Sequence, residues 1–289
     1  MSSENREYVR QNMPLIGIGT WQIKKEQTLY EVIDAGLKEG YRFIDTAQVY
    51  QNEAAIGRCL ERLLPAHGLT RKDIFITSKL APSNAGAKKA PQSIEKSLKD
   101  LKIDYLDLLL IHWPGSWLKS EDEKNRELRK ESWTVLRELL DSGKLKSIGV
   151  SNFEVQHLEE LKTISNIVPS VNQVEYHPHF HQDDLVKYCQ ENDIHFQAYS
   201  SLGSPTYREK LSEDAVIKEL AEKYKVSVPV LLLGFAYCQG ISVLPRTTNP
   251  AHAVANFQVT KLAISQEDIE KLLKINVDHK TCWDPRVVV

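Results

Sequence analysis

The stretch Tyr105-Leu106-Asp107-Leu108-Leu109-Leu110-Ile111-His112 decides the fold. From Leu106 to Ile111 it is apolar on every residue except Asp107, the pattern of a strand covered on both faces and therefore of a parallel sheet. A strand with one wet face would alternate instead. Seven further strand-like runs lie outward from it: Leu15 to Gly19, Phe43 to Asp45, Ile74 to Lys79, Ser147 to Ser151, Val171 to Glu175, His195 to Ser200 and Ser242 to Pro245.

Segments of helical periodicity separate the runs. Leu29, Val32, Ile33 and Leu37 recur at i, i+3 and i+4, and Gly40 supplies a left-handed stop. Trp133, Leu136, Leu139 and Leu140 repeat the device ahead of Gly143. Eight strand-helix units in 289 residues predict an α/β fold, a closed (β/α)8 TIM barrel whose chemistry gathers at the strand C-terminal ends. An open doubly wound sheet would want Gly-x-Gly-x-x-Gly after its first strand. Here Gly17-Ile18-Gly19 is followed by Thr20-Trp21-Gln22, without the third glycine. No Pro/Gly/Ser-rich linker breaks the chain, so one domain over residues 1–289 is expected.

Composition narrows the function. With 42% apolar and 26% charged residues the chain can bury a large core, which excludes a disordered or collagen-like protein. Lys plus Arg (37) nearly balance Asp plus Glu (39), so nothing in the charge asks for nucleic acid or an anionic membrane. A small-molecule partner is expected. Cys59, Cys189, Cys238 and Cys282 lie far apart, which argues against a disulfide framework or a zinc finger. The start, Met-Ser-Ser-Glu-Asn-Arg-Glu, is polar and has no apolar signal segment, and a cytoplasmic location is expected.

In a barrel the informative residues are those that end the strands. They are Thr20 and Trp21, Asp45, Lys79, His112, Ser151 and Asn152, Gln173 and Glu175, Tyr199, and Arg246. A core-only protein would not need so many polar groups there, since each loses solvation unless paired. Tyr50 follows Asp45 by five residues, close enough on its loop to point back into the same mouth. Asp45, Tyr50, Lys79 and His112 then form a proton-transfer set. A phenol titrates near ~10, too high for easy transfer at neutral pH, and the Lys79 ammonium is expected to lower it. Asp45 would hold that ammonium, and His112 would hydrogen-bond a substrate oxygen.

The set has no serine with a base beside it, no Gly-x-Ser-x-Gly elbow and no Walker A loop. An acid without a nucleophile suggests carbonyl reduction. The hydride must then come from a bound donor, since no side chain can supply one.

At this point the sequence resembles the aldo-keto reductase family over almost its whole length. One signature is Gly40-Tyr41-Arg42-Phe43-Ile44-Asp45-Thr46-Ala47, continuing through Tyr50 and Glu53 to Gly57. A second runs from Leu101-Lys102-Ile103-Asp104 through His112-Trp113-Pro114. A third joins Ile148-Gly149-Val150-Ser151-Asn152-Phe153 to Asn172-Gln173-Val174-Glu175-Tyr176-His177-Pro178. The resemblance implies Tyr50 as acid/base, Lys79 and Asp45 as its tuning pair, and His112 as the group orienting the carbonyl.

The resemblance further implies NADPH as cofactor. Ser151, Asn152 and Gln173 would hold its carboxamide, Tyr199 would stack on the nicotinamide, and Ser200, Leu202 and Ser204 would lie over the pyrophosphate. Thr20, Trp21 and Asp45 are also implied as cofactor contacts. The family's usual Ile-Pro-Lys-Ser, with an Arg and a Glu-Asn pair beyond, stands here as Leu244-Pro245-Arg246-Thr247, His252, Ala255 and Asn256. Pro245, Arg246, Thr247, His252 and Asn256 would meet the 2′-phosphate, where a guanidinium can still grip in bidentate fashion. Trp21, Tyr50, His112 and Trp113 would form one pocket wall, left wider by Ala81 where many relatives carry an aromatic. Small aldehydes and dicarbonyls are the expected substrates, and a monomer the expected form.

Other readings compete. Asp45 with Lys79 alone would be an ordinary structural ion pair, but Tyr50 and His112 at the same mouth turn it into a site. His177, His179 and His181 resemble metal ligands, yet no His stands near residues 15 to 22 to complete a barrel metal site, and solvated helix-entry residues are expected. Glu175 lacks a partner carboxylate for glycoside cleavage, because Asp107 lies early in its strand. Cys282 reads as a small inert hydrophobe beside Trp283. Lys88-Lys89 and the stretch from Glu121 to Lys130 read as solvated helix faces. A nucleotide-binding but non-catalytic regulatory or structural member is the alternative to an enzyme, although such a member would be free to lose Tyr50 or His112.

Overall fold

In the computed structural model, which describes residues 2–275 and 277–289, sequence order along the sheet is also spatial order. The strands are β1 (Ile18–Gly19), β2 (Phe43–Asp45), β3 (Phe75–Leu80), β4 (Leu108–Ile111), β5 (Ile148–Ser151), β6 (Val171–Glu175), β7 (His195–Tyr199) and β8 (Ser242–Val243). Every neighbouring pair is parallel. The two edges meet, with Ile16 bridging Val243 and Gly19 bridging Arg246. There Gly17 N donates to Val243 O at 2.9 Å and Gly19 N to Pro245 O at 3.1 Å. Closure removes the open edge, as the expected (β/α)8 barrel requires.

The helices are α1 (Ser2–Asn12), α2 (Glu26–Glu39), α3 (Glu53–Ala66), α4 (Ala90–Leu101), α5 (Lys124–Asp141), α6 (Val155–Ile164), α7 (Asp183–Glu191), α8 (Arg208–Ser212), α9 (Ala215–Tyr224), α10 (Val228–Tyr237), α11 (Pro250–Phe257) and α12 (Gln266–Leu273). In α2 the predicted stripe of Leu29, Val32, Ile33 and Leu37 is buried, and Gly40 stops the helix at φ 119°. In α5 Trp133 and Leu136 face the core.

β4 is shorter than its apolar run for a local reason. Asp107, just before it, accepts from Arg71 Nη2 at 2.6 Å, Tyr8 Oη at 2.6 Å and Ile76 N at 2.8 Å. Its side chain thus takes a backbone donor that a continuing ladder would have used. Asp107 lies at the barrel bottom, the structural end.

The N-terminal segment, read in the sequence only as polar, folds as α1 across that bottom. Val9 and Met13 pack with Phe43, Phe75, Leu108, Leu110, Val171 and Leu244 inside the barrel. Asn5 fastens the helix, accepting from Ile148 N at 2.8 Å and donating to Val168 O at 2.9 Å.

Two expectations of solvated residues are corrected. His179 and His181 are buried, covered by Tyr207, Asp214 and the carbonyl of Leu273. Within Glu121 to Lys130, Asn125 and Arg129 are buried as well. Arg129 reaches back to the carbonyls of Pro114 and Val289, a contact from distant chain that a local charge pattern does not announce.

Helices α3 and α4 touch backbone to backbone at Gly57, where an added Cβ would lie 2.7 Å from the carbonyl carbon of Leu101. Helix propensity favours alanine over glycine by about 1 kcal/mol, whereas overpacking against a rigid neighbour costs roughly 1–3 kcal/mol. Gly57→Ala is therefore expected to destabilise the fold. A urea midpoint equal to or above the wild type's would show that α4 yields at this contact.

Candidate active site

Lys79, next to last in β3, is wholly buried, and its ammonium is the hub of the barrel mouth. It donates to Asp45 Oδ1 at 2.6 Å, to the carbonyl of Thr46 at 2.9 Å and to Tyr50 Oη at 3.2 Å. Asp45 ends β2, and the parallel register sets its strand beside β3. Tyr50 ends a single 3₁₀ turn, Gln48–Tyr50, that folds the loop back over the mouth. His112 follows β4 directly, and its ring stands 5.8 Å from that of Tyr50 at 76°. The four residues expected to act together are thus brought together.

Their electrostatics depart from expectation at Tyr50. Burial pushes the phenol well above its ordinary 10.0, and the Asp45 charge and the Cys282 thiol add to the rise. The expected lowering by Lys79 fails because the ammonium is paired with Asp45, so the phenolate would face no net positive charge. Burial also lowers the pKa of Lys79 itself, against the opposing pull of Asp45. Burial, with the Lys79 charge, holds His112 well below 6.5. The mouth therefore carries a neutral imidazole beside a protonated phenol.

Asp45 leads further into the barrel. Its Oδ2 accepts from Gln173 Nε2 at 2.9 Å, the same nitrogen reaches Gln197 Oε1 at 2.7 Å, and Gln197 Nε2 reaches Ser242 Oγ at 2.9 Å. Gln197 was not among the sequence candidates. Its signal was the period of two in β7, which puts it on the same face as Tyr199 and opposite Gln173.

The residues implied for the carboxamide also cluster. Asn152 Nδ2 donates to Ser151 Oγ at 3.0 Å and to the carbonyl of His112 at 3.0 Å, while Tyr199 Oη donates to Asn152 Oδ1 at 2.6 Å. Thr20 is buried, with its hydroxyl on the carbonyl of Asp45 at 2.8 Å. Asn152 and Ser200 sit at φ 62° and 52°, a left-handed conformation at the mouth where backbone strain is often functional. Leu202 lies in the turn closed by Gly203 N on the carbonyl of Ser200 at 2.8 Å, and Ser204 opens the next one, its carbonyl accepting from Tyr207 N at 3.0 Å.

The residues that the resemblance implied for the 2′-phosphate lie beyond the seam between β8 and β1. Arg246 is exposed, and its Nε donates to the carbonyl of Trp21 at 2.9 Å. Thr247 Oγ1 accepts from Asn249 N at 3.0 Å, which orders the turn into α11; His252 is exposed and Asn256 buried. Arg208, which the sequence reading missed, lies near enough to Arg246 to lower its pKa alongside burial. Among the described residues neither guanidinium has a carboxylate partner. Two unpaired guanidiniums, and a buried Ser201 hydroxyl without a hydrogen-bond partner among those residues, fit a dinucleotide laid across this face.

On the substrate side Trp113 stacks at 6.2 Å on His112 and tilts at 4.7 Å on Trp283. Trp21 stands at the rim, 44% exposed. The tail also brings Cys282 beside Tyr50, Tyr199 and Ser200, so this thiol faces the mouth rather than filling a core.

Residues 15–277 match the family model described as "Aldo/keto reductase family". The chain is 35% identical to a glyoxal reductase of Bacillus subtilis (strain 168) over 273 residues, covering 94% of this chain and 92% of that one. It is 35% identical to aldose reductase B of Dictyostelium discoideum, over 94% of this chain and 91% of that one. Among solved structures it resembles an aldo-keto reductase enzyme from a Medee basin deep-sea metagenome library, with TM-score 0.86, 33% identity and 95% of each chain covered. The aldose reductase of Schistosoma japonicum superposes with TM-score 0.83 at 30% identity, over 93% of this chain and 90% of that one.

Lys79→Met would leave the Asp45 carboxylate buried with one amide partner. Breaking a buried pair from one side costs about 3–5 kcal/mol, and a loss of that order is expected in urea unfolding. Unchanged stability would mean that Asp45 takes up a proton or admits water in the variant.

Proposed function

The chain belongs to the aldo/keto reductase family, and on that footing we propose that it is an NADPH-dependent reductase of small aldehydes, dicarbonyls and ketones, with Tyr50 as general acid. The observation that carries this reading is the run from Tyr50 Oη through Lys79 to Asp45, with the His112 ring beside it. The relatives matched include a glyoxal reductase and aldose reductases, which suits a pocket for small carbonyls. We place the protein as one domain over residues 1–289, acting as a monomer in the cytoplasm. Among the described residues no helix is long and apolar enough to cross a membrane.

Bound NADPH supplies the hydride. Arg246 and Arg208 offer bidentate donors to its phosphates, Ser151, Asn152 and Gln173 offer amides and a hydroxyl to its carboxamide, and Tyr199 offers a ring face. Trp21, Trp113 and Trp283 screen the reacting carbonyl from water. His112, kept neutral by burial, orients the carbonyl oxygen. As that oxygen gains negative charge, the Tyr50 proton moves to it and completes the alcohol. Lys79 then donates its 3.2 Å hydrogen bond to the phenolate oxygen, and the Asp45 carboxylate, which offsets the ammonium's charge, keeps Lys79 protonated.

The first test is loss of NADPH absorbance with methylglyoxal, a nitrobenzaldehyde and a steroid ketone, repeated with NADH. Turnover of the two small carbonyls with NADPH preferred is expected. Equal efficiency with both cofactors would reject the preference, and turnover of the steroid alone would reject the substrate class.

Tyr50→Phe should abolish reduction and leave nucleotide binding nearly intact, because the ring stays and only the proton is lost. The pH profile follows from the directions of the shifts. Reduction needs the protonated phenol, present below a raised pKa, and the neutral imidazole, present above a lowered one. kcat/KM is therefore expected to stay level from about pH 6.5 to about pH 9. An alkaline fall inside that window would assign the acid to another group.

A further inference from the structure

Glu175 ends β6 at the mouth, is fully buried, and has no contact with the proton-handling groups. Its carboxylate instead collects the C-terminal tail. Oε1 accepts from Thr281 N at 2.9 Å and from the Thr281 hydroxyl, and lies 3.2 Å from His177 Nε2. Oε2 accepts from Cys282 N at 3.0 Å and from Lys280 Nζ at 3.2 Å. Burial alone would push this carboxyl up, but His177, Lys280 and Thr281 outweigh it and hold it down at about 2.

Apart from His177, every one of these partners belongs to three consecutive tail residues. Were the tail to lift, a buried anion would keep a single imidazole, so the tail is latched and not merely resting. The next residue is Trp283, whose ring lies 4.7 Å from Trp113, which in turn stacks on His112. Just before the latch, His279 stacks on Tyr207 at 4.0 Å and donates its N–H to the carbonyl of His179 at 3.0 Å. Beyond Trp283 the chain is tied again, the carbonyl of Val288 lying 2.9 Å from His157 Nε2. Trp283 therefore spans two anchors, and the nearer one is a charge.

We propose that Glu175 is a positioning residue that fastens residues 280–282 and so sets the substrate wall formed by Cys282 and Trp283 against Trp113. The effect on the wall rests on the reductase reading above, whereas the latch itself does not. Glu175 touches neither the reacting groups nor the expected phosphate site. Its influence should fall on carbonyl binding before the cofactor, because it reaches the expected cofactor residues Tyr199 and Ser200 only through the Cys282 thiol.

The test uses the full chain carrying Glu175→Gln, which keeps the volume and removes the charge. With a small aldehyde KM is expected to rise about tenfold or more, the size of one lost charge-assisted hydrogen bond. Alongside it kcat should stay within about threefold and the NADPH affinity, read by protein fluorescence, should not move. Amide exchange at residues 279–284 should quicken. In a Trp283→Ala background the same Glu175→Gln change should move KM by less than about twofold, since the wall it positions is gone. A general loss of structure would instead lower kcat, KM quality and cofactor affinity together, and would overturn the proposal, as would a KM shift that persists undiminished beside Trp283→Ala.

Thr281→Val is the milder variant if Glu175→Gln fails to fold. It removes one donor to the carboxylate, and a smaller KM rise with faster exchange in the same segment is expected. Unchanged KM and unchanged exchange there would overturn the latch. If the wild-type chain reduces no carbonyl, the reductase reading fails by itself, and amide exchange at 279–284 in the two variants still decides the latch.

Discussion

One buried ammonium organises the mouth of this barrel. Lys79 has no solvent, so its charge survives only because Asp45 lies 2.6 Å away and two oxygens complete its shell. The requirement runs outward in both directions. Asp45 must itself be satisfied, which draws in Gln173 and then Gln197 and Ser242 from three further strands. Tyr50 must fold back to give the third oxygen, which fixes the loop ahead of α3. The positions of strands as far apart as β2 and β8 are thus tied to one point charge.

The two ends of the barrel solve the same electrostatic problem differently. At the bottom, Asp107 is matched by the Arg71 guanidinium, a phenol and a backbone amide, while α1 fills the remaining space with Val9 and Met13. The Asp107 carboxylate is thereby satisfied from within, although the Arg71 Nε keeps no partner among the described residues. At the mouth, His112 Nδ1 and the Ser201 hydroxyl lack partners, and Arg208 and Arg246 feel each other's charge with no carboxylate paired to either, among the described residues. Donors left open at one end and a carboxylate satisfied from within at the other separate the end of the fold that can bind from the end that holds it together.

Much of this was legible in the sequence, because strand ends are local. An apolar run that stops at Asp45, Lys79 or His112 marks the place where a strand leaves the core, and the barrel gathers all such places at one end. The tyrosine's acidity was not legible, since it turns first on how deeply the folded mouth buries the phenol and then on the Asp45 charge and the Cys282 thiol brought beside it. The buried imidazoles His177, His179 and His181 were misread for a related reason. Their covering atoms come from Glu175, Tyr207, Asp214 and the carbonyl of Leu273, and the tail closes over them from a hundred residues away. The strand edges also shifted by one to three residues, before β4 because the Asp107 side chain took a ladder hydrogen bond. Helix α1 escaped because a polar amphipathic segment looks solvated until the barrel bottom it covers is known.

On the proposed reading, the hydrogen bonds that run from Asp45 through Gln173 and Gln197 to Ser242 bear on how Tyr50 would recover its proton after each turnover. Two of the links are carboxamides, which hold geometry well but do not pass a proton along, because their nitrogen is not basic. The run is a tether and not a wire. With α1 sealing the opposite end, the proton that restores Tyr50 in that reading would have to arrive from bulk water by the same opening through which the alcohol would depart. Departure of product and recharging of the acid would then be consecutive uses of one doorway, and whatever narrows it, the Trp113–Trp283 contact above all, would slow both.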